Sequence, residues 1–142
     1  MRLGIVASRF NENIAAELLK RAQAAARELG VECSVVTVPG ALEIPVTLQW
    51  MAQSGRFDAL AAVGVVIRGE THHFEVVANE SARGLMDLMV RDGLCIGNGI
   101  LTVEDEAQAL HRAQPDELDK GGDAARACLA LIALKRRFAA KS

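Results

Sequence analysis

The sequence is poor in aromatic residues, with no tyrosine, one tryptophan and four phenylalanines among its 142 residues. Proteins that bind single-stranded nucleic acid by base stacking need several exposed aromatic rings, so this class is disfavoured. An excess of charge of one sign is also lacking, because 16 Lys and Arg residues face 18 Asp and Glu residues for a formal net charge of −2. Such a balance provides no general attraction for a phosphate backbone. We therefore expect no nucleic-acid partner.

Cysteine is scarce too, with Cys33, Cys95 and Cys128 far apart and no C-x-x-C motif. An odd number at this spacing fits neither a disulfide framework nor a zinc site, and it predicts reduced thiols. A membrane-length apolar run and a signal-peptide pattern are missing as well. From these features we expect a cytoplasmic protein that does not associate with membranes.

The length fits a single domain, which we predict to span residues 1–142. Hydrophobic residues make up 51% of the chain and aromatic residues only 4%, so the core must be built from alanine and aliphatic side chains. The mean hydropathy of +0.18 leaves apolar surface that subunits could bury between them. A homo-oligomer is therefore expected.

Strand-like and helix-like patterns alternate along the chain. Apolar or β-branched runs predict strands at 2–8, 32–38, 59–67 and 94–101. Apolar residues spaced three or four apart predict helices at 12–29, 42–54, about 71 or 72 to 91, 104–113 and 121–139. Asn11 and Gly30 are predicted to cap the first helix at its two ends. This order predicts an α/β fold, a flavodoxin-like three-layer sandwich with a four-stranded parallel sheet and helices on both faces.

Ligands in such folds bind beyond the carboxyl ends of the strands. Residues 68–73 (RGETHH) follow the third predicted strand and are therefore candidates for a binding site. Backbone amides and the helix dipole at the start of the following helix would favour an anion such as phosphate. A histidine in the same turn could transfer protons beside that anion. The alternative is that Thr71 only caps the helix and that His72 and His73 are solvated. Adjacent histidines diverge on a helix, and H-E-x-x-H and P-C-x-x-C are absent, so we expect no metal site.

Other segments after predicted strands allow more than one interpretation. Phe10 could stack on a flat heterocycle or serve as a hydrophobic staple for the helix that follows it. The turn at 39–43 (PGALE) could offer amides and the Glu43 carboxylate to a ligand, or be a plain strand-to-helix turn. The G-x-G at 97–99 lacks the third glycine of a dinucleotide fingerprint, and no P-loop motif occurs.

Taken in order, these segments resemble the 6,7-dimethyl-8-ribityllumazine synthase family. The motifs are SRFN at 8–11, VPGALEIP at 38–45, VIRGETHH at 66–73, GILT at 99–102, QALHR at 108–112 and KG at 120–121. The resemblance extends from about residue 8 to residue 134. It implies condensation of 5-amino-6-(D-ribitylamino)uracil with 3,4-dihydroxy-2-butanone 4-phosphate, with release of phosphate and water. This is the penultimate step of riboflavin synthesis, and it uses no cofactor or metal.

The resemblance also implies roles for individual residues. His73 would be the proton-transfer residue. The residues that would bind the ribitylaminouracil are Phe10, Ala41, Leu42, Glu43, Val65, Val66 and Ile67. Glu70, Thr71 and Arg112 would bind the phosphate. Because the family's active site lies between adjacent subunits of a pentamer, Asn98, Arg112 and the supporting Lys120 would act on a neighbour's ligand.

Two positions depart from the family pattern. Asn98 stands where the family usually has phenylalanine, and Leu42 stands where it often has an aromatic residue. We expect weaker stacking on the heterocycle with the chemistry retained. Our hypothesis for Asn98 is that it forms a hydrogen bond with the pyrimidine instead.

The sequence also favours one state of assembly. Family members form pentamers or sixty-subunit shells. Here the first strand begins almost at Met1, and the connector at 114–119 lacks a glycine-rich stretch. Both features favour a free pentamer. The resemblance also suggests association with riboflavin synthase.

A phosphoacceptor receiver domain would need acidic residues at 8–9 and 67–68, where the sequence has Ser-Arg and Ile-Arg, so it is disfavoured. A non-catalytic lumazine- or flavin-binding protein, or a shell protein on the same scaffold, is the alternative function.

Overall fold

The computed structural model describes residues 1–69, 72–114 and 118–140. Strands and helices alternate along it in the predicted order. The elements are β1 (Arg2–Ser8), α1 (Glu12–Glu28), β2 (Glu32–Val38), a 3-10 turn (Ala41–Glu43), α2 (Ile44–Gln53), β3 (Ala59–Ile67), α3 (His73–Asp92), β4 (Ile96–Val103), α4 (Glu106–Ala113) and α5 (Lys120–Ala139).

The four strands form one parallel sheet in the order β2-β1-β3-β4. Helices α1, α4 and α5 pack on one face of the sheet, and α2 and α3 pack on the other. The central strands β1 and β3 are almost wholly buried, because helices cover both of their faces. The predicted flavodoxin-like three-layer sandwich is confirmed.

Sequence patterns located the first three strands correctly and were less accurate at other boundaries. The fourth strand is two residues further along than predicted and runs from Ile96 to Val103. The helix predicted at 42–54 is divided, because Ala41–Glu43 form a 3-10 turn and α2 begins only at Ile44. Pro45 lies in the first turn of α2, where its missing N–H removes no helical hydrogen bond. Helix α4 begins later than predicted, since the Asp105 side chain caps it by accepting a hydrogen bond from the Gln108 N–H at 2.9 Å.

Asn11 does not cap α1 through its side chain, so that prediction was wrong. Its backbone takes the left-handed conformation with φ of 55°, which asparagine tolerates better than most residues. The Asn11 carbonyl instead accepts hydrogen bonds from the N–H groups of Ile14 and Ala15, each at 3.0 Å. Gly30 ends the helix in the left-handed region with φ of 72°, as predicted.

Glycines at the contacts of α5 let this helix approach its neighbours closely. A Cβ atom placed on Gly97 of β4 would lie 1.8 Å from the Ala124 carbonyl oxygen, and one placed on Gly121 would lie 2.1 Å from that of Leu18. Both positions therefore admit only glycine at the observed spacing. Within the described ranges, no helix is long and apolar enough to cross a bilayer.

Candidate active site

An open crevice of about 410 Å³ lies at the carboxyl ends of β1 and β3. The chain leaves these adjacent strands toward opposite faces of the sheet, into α1 and α3 respectively, and such a divergence is where ligands bind in open α/β sheets. The residues that line the crevice are Phe10, Asn11, Gly40, Ala41, Leu42, Glu43, Val65, Val66, Ile67, His73 and Val77.

The inner wall of the crevice is apolar. Val65 and Val66 come from the end of β3, Ala41 begins the 3-10 turn, and Val77 lies one helical turn beyond His73. All four side chains are buried. A wall of this kind, with backbone polar groups at its edges, suits a flat uncharged heterocycle. Val77 was not predicted as a site residue; its only signal was its position four residues after His73.

The 3-10 turn forms one side of the crevice and is closed by its own carboxylate. Glu43 Oε1 accepts a hydrogen bond from the Gly40 N–H at 2.9 Å, and the Glu43 N–H donates to the Gly40 carbonyl at 3.2 Å. A Cβ atom on Gly40 would lie 3.5 Å from the Phe10 ring and 3.3 Å from Glu43 Oε1. A side chain at position 40 would therefore be in ordinary contact with the ring and slightly crowd the carboxylate. The Phe10 side chain remains 68% exposed, so its ring is accessible to a ligand.

His73 is the first residue of α3 and lies exposed at the mouth of the crevice. Its position at a helix N-terminus places an imidazole beside backbone amides that lack partners within the helix. Glu70 and Thr71, predicted to bind phosphate, lie outside the described residues. Across the described ranges, no three His, Cys, Asp or Glu side chains gather in a metal-binding group.

Asn98, Arg112 and Lys120 do not line this crevice in the single chain. Asn98 lies on β4, is exposed, and its Oδ1 accepts a hydrogen bond from the Ile100 N–H at 2.9 Å. Arg112 lies half-buried on α4, where its Nη1 donates to the Gln108 carbonyl at 3.2 Å. Lys120 is the exposed first residue of α5. The geometry of one chain thus separates these three residues from His73 and Phe10.

Residues 1–136 match the model of the 6,7-dimethyl-8-ribityllumazine synthase family. The chain belongs to this family. A relative named 6,7-dimethyl-8-ribityllumazine synthase from Novosphingobium aromaticivorans is 58% identical over 94% of this chain and 96% of its own length. Relatives with the same name from Zymomonas mobilis and Erythrobacter litoralis are 54% and 53% identical, covering 94% and 98% of this chain and 96% and 99% of their own lengths.

Membership of the lumazine synthase family confirms the predicted family and class of activity. The chain is an enzyme of riboflavin biosynthesis and a transferase. Within the motif at 66–73, the sequence interpretation assigned no role to Arg68.

Arg68 follows β3 directly, and its guanidinium contacts three side chains. Its Nη1 donates to Glu75 Oε1 at 2.5 Å, its Nε lies 2.9 Å from Glu104 Oε2, and its Cζ lies 4.5 Å from the centroid of the Phe74 ring. The hydrogen bond from Arg68 lowers the pKa of the Glu75 carboxyl. The hydrogen bonds to Glu75 and then Glu104 raise the pKa of Arg68. The sequence offered no sign of this cluster, because Glu104 is 36 residues away from Arg68.

Proposed function

We propose that the crevice binds 5-amino-6-(D-ribitylamino)uracil, and that His73 transfers protons while this amine condenses with 3,4-dihydroxy-2-butanone 4-phosphate. One observation carries the proposal: the family's motifs at 8–11, 38–45 and 66–73, far apart in sequence, meet in a single crevice at the carboxyl ends of β1 and β3. We further propose that residues 1–142 form one lumazine synthase domain.

The pyrimidine ring would lie between Phe10 and the apolar end of β3. The Phe10 ring is accessible for stacking, while Val65, Val66 and Ile67 provide apolar contact and backbone hydrogen-bonding groups. Ala41, Leu42 and Glu43 would hold the ribityl chain and the ring edge. Glu43 has one carboxylate oxygen bound to the Gly40 N–H, which leaves the other oxygen to accept from ligand hydroxyl groups.

The reaction needs protons moved several times in one place. The 5-amino group attacks the ketone carbon, and loss of water gives an imine. Removal of the proton from the hydroxyl-bearing carbon next to the imine expels phosphate and leaves an enol, which tautomerises to a ketone. Attack of the ribitylamino nitrogen on this new ketone closes the ring with loss of a second water. The imidazole of His73 can accept and return these protons, since imidazole acts as both base and acid near neutral pH.

The departing phosphate requires positive charge and N–H donors. Glu70, Thr71 and the N-terminal amides of α3 are proposed to form the turn that holds it. Arg112 is proposed to complete the site, with Lys120 in support. Among the residues that the structure describes, Arg112 forms no ion pair, and its Nη1 donates to the neutral Gln108 carbonyl, which supports a role in binding an anion.

We propose a homopentamer in which each active site lies between neighbours, so that Asn98, Arg112 and Lys120 reach the ligand of an adjacent subunit. Their separation from the crevice within one chain supports this arrangement. Exposed apolar side chains on α2 and α3, including Trp50 and Val90, supply surface for such contacts. Association with riboflavin synthase is proposed as well. The free thiols Cys33, Cys95 and Cys128 support a cytoplasmic location.

The test is a kinetic assay of the purified protein with both substrates. Phosphate release and the fluorescence of the lumazine product are followed together, beside a reaction without enzyme. We expect clear acceleration by the wild type and a fall in kcat of about 100-fold in His73→Ala, the usual size of an acid–base contribution. His72→Ala is the matched control, because His72 is also exposed but does not line the crevice.

Two outcomes would contradict the proposal. Equal kcat for wild type and His73→Ala would exclude His73 as the proton-transfer residue. No acceleration over the reaction without enzyme, combined with tight binding of the lumazine, would instead identify a binding protein on the same scaffold.

A further inference from the structure

Arg68 lies at a junction of three elements, and with Phe74, Glu75 and Glu104 it forms what we call the Arg68 cluster. Glu75 and Phe74 belong to the first turn of α3, the turn that begins with His73. Glu104 follows the end of β4 and precedes α4. One guanidinium thus binds the start of a helix and the end of a neighbouring strand, with 2.5 and 2.9 Å contacts to the two carboxylates.

The contacts continue beyond Glu104 into α4. The Glu104 backbone N–H donates to Gln108 Oε1 at 2.9 Å. The Gln108 carbonyl in turn accepts from Arg112 Nη1 at 3.2 Å. An unbroken series of contacts therefore connects the first turn of α3, through Arg68, to the guanidinium of Arg112.

The position of Arg68 beside a phosphate-binding turn would suggest a direct role in binding phosphate, but its geometry does not. The two carboxylates already bind its Nη1 and Nε atoms, and the Phe74 ring covers one face at 4.5 Å. Two negative charges also outweigh its single positive charge, which makes the cluster a poor site for an anion. Arg68 is therefore committed to protein contacts.

These contacts add little to stability. The Arg68 and Glu75 side chains are about two-fifths exposed and Glu104 more so, and exposed ion pairs contribute little because water and salt screen them. What two carboxylates and a stacked ring do provide is a defined geometry, since the planar guanidinium binds in fixed directions.

We propose that Arg68 is a positioning residue for the synthase reaction. Its contact with Glu75 places His73, and its contact with Glu104 places Arg112. This inference rests on the proposed function of His73 and Arg112. Loss of the Glu75 contact and loss of the Glu104 contact have different kinetic consequences. Displacing the first turn of α3 impairs proton transfer and lowers kcat, whereas displacing α4 weakens the phosphate contact and raises KM for the butanone phosphate.

The experiment compares single isosteric variants in the phosphate-release assay, with the concentration of each substrate varied in turn. We expect Glu75→Gln to lower kcat about tenfold with little change in either KM, because small misplacements of a catalytic group cost factors of this size. Glu104→Gln should raise KM for the butanone phosphate about fivefold and leave KM for the ribitylaminouracil unchanged. Arg68→Gln should combine both effects, and Arg68→Lys should recover only part of the loss because lysine lacks the guanidinium fork.

Arg83→Gln is the matched control. Arg83 also contacts two carboxylates, Glu80 and Asp87, but all three residues belong to α3, so its loss cannot change the placement of one element against another. Circular dichroism melting and sedimentation of each variant confirm that folding and assembly are retained. The two carboxylate variants keep the proposal testable if Arg68→Gln does not fold.

The inference is overturned if an active wild type is accompanied by Arg68→Gln kinetics equal to those of Arg83→Gln. It is also overturned if the Glu75 and Glu104 variants change kcat and both KM values in parallel, which is what a purely structural role predicts. Failure of the proposed function has a different signature, because the wild type itself would then show no acceleration or would not depend on His73.

Discussion

At the scale of single residues, Ser8 is notable because, among the residues that the structure describes, its Oγ is the buried side-chain polar atom without a hydrogen-bond partner. It ends β1, next to the crevice, and a Cβ atom added to Gly64 of β3 would lie 2.5 Å from its Oγ. An unpaired buried hydroxyl costs about 1–3 kcal/mol. The absence of a side chain at Gly64 is what makes room for this hydroxyl.

We predict that Ser8→Ala stabilises the fold by about 1 kcal/mol, because it removes the unpaired hydroxyl without changing the packing. Gly64→Ala should destabilise the wild type, yet be better tolerated in the Ser8→Ala background, where the nearest atoms, Ser8 Cβ and Ile44 Cδ1, lie at an ordinary 3.5 Å. Urea unfolding of the four proteins measures both effects. Additive free energies of unfolding would disprove the contact.

Asn98 has one polar group engaged and one available. Its Oδ1 accepts from the Ile100 N–H, which leaves the NH2 group to donate to the pyrimidine of an adjacent subunit's ligand. We predict that Asn98→Ala weakens ribitylaminouracil binding about fivefold, the value of one hydrogen bond. Asn98→Asp should behave alike, since it keeps an acceptor for Ile100 but no donor. Calorimetric titration measures these affinities, and wild-type affinity in Asn98→Ala and Asn98→Phe would refute the role.

At the scale of elements, the first turn of α3 is tied to the end of β3 by a charged contact with a titration signature. Arg68 holds the pKa of the Glu75 carboxyl below its ordinary value of 4.5. A lowered carboxyl pKa contributes stability above the unfolded-state pKa, and that contribution is lost as the pH falls through the lower folded-state pKa. The contact is therefore complete at neutral pH and fails only in acid below about pH 4.5.

We predict that Arg68→Gln raises the Glu75 pKa toward 4.5, because the hydrogen bond that lowers it is gone. Carboxyl-carbon NMR of protein labelled at glutamate follows the titration. Glu80 serves as the internal control, since Arg83 lowers its pKa and should continue to do so in the variant. An unchanged Glu75 midpoint would show that the contact does not persist in solution.

At the scale of the whole molecule, apolar side chains remain exposed on the helices that cover one face of the sheet. On α2 these include Trp50, which is 62% exposed, and on α3 they include Met86 and Val90, the latter 74% exposed. Side chains of this size are normally covered when several of them share a surface. In the proposed pentamer, neighbouring subunits would cover them.

We predict that sedimentation gives five times the monomer mass, and that Val90→Glu dissociates the assembly by placing a charge in an apolar contact. Trp50 is the single tryptophan, so its emission should shift to longer wavelength when the subunits separate. Phe138→Glu, on α5 at the other face of the sheet, should leave mass and emission unchanged. A wild-type monomer, or a megadalton particle, would contradict the free pentamer.

Local sequence was sufficient for much of this protein. Apolar runs located β1 and β3, because a strand covered on both faces must be apolar throughout, and β-branched residues located the edge strand β2. The motifs at 38–45 and 66–73 identified the family. Most residues of the crevice followed from these motifs and from the motif at 8–11, because the carboxyl ends of parallel strands meet at one edge of the sheet, whereas Val77 was not predicted.

Other features depended on the tertiary structure. The start of α2 depended on the 3-10 turn, and the role of Asn11 depended on a left-handed backbone rather than on its side chain. Arg68 meets Glu104 only because β3 and β4 are paired side by side. Periodicity reports which face of a segment is buried, and motifs report which residues occur together. Neither specifies which distant charges the sheet brings within hydrogen-bonding distance, so the Arg68 cluster was decided by the fold alone.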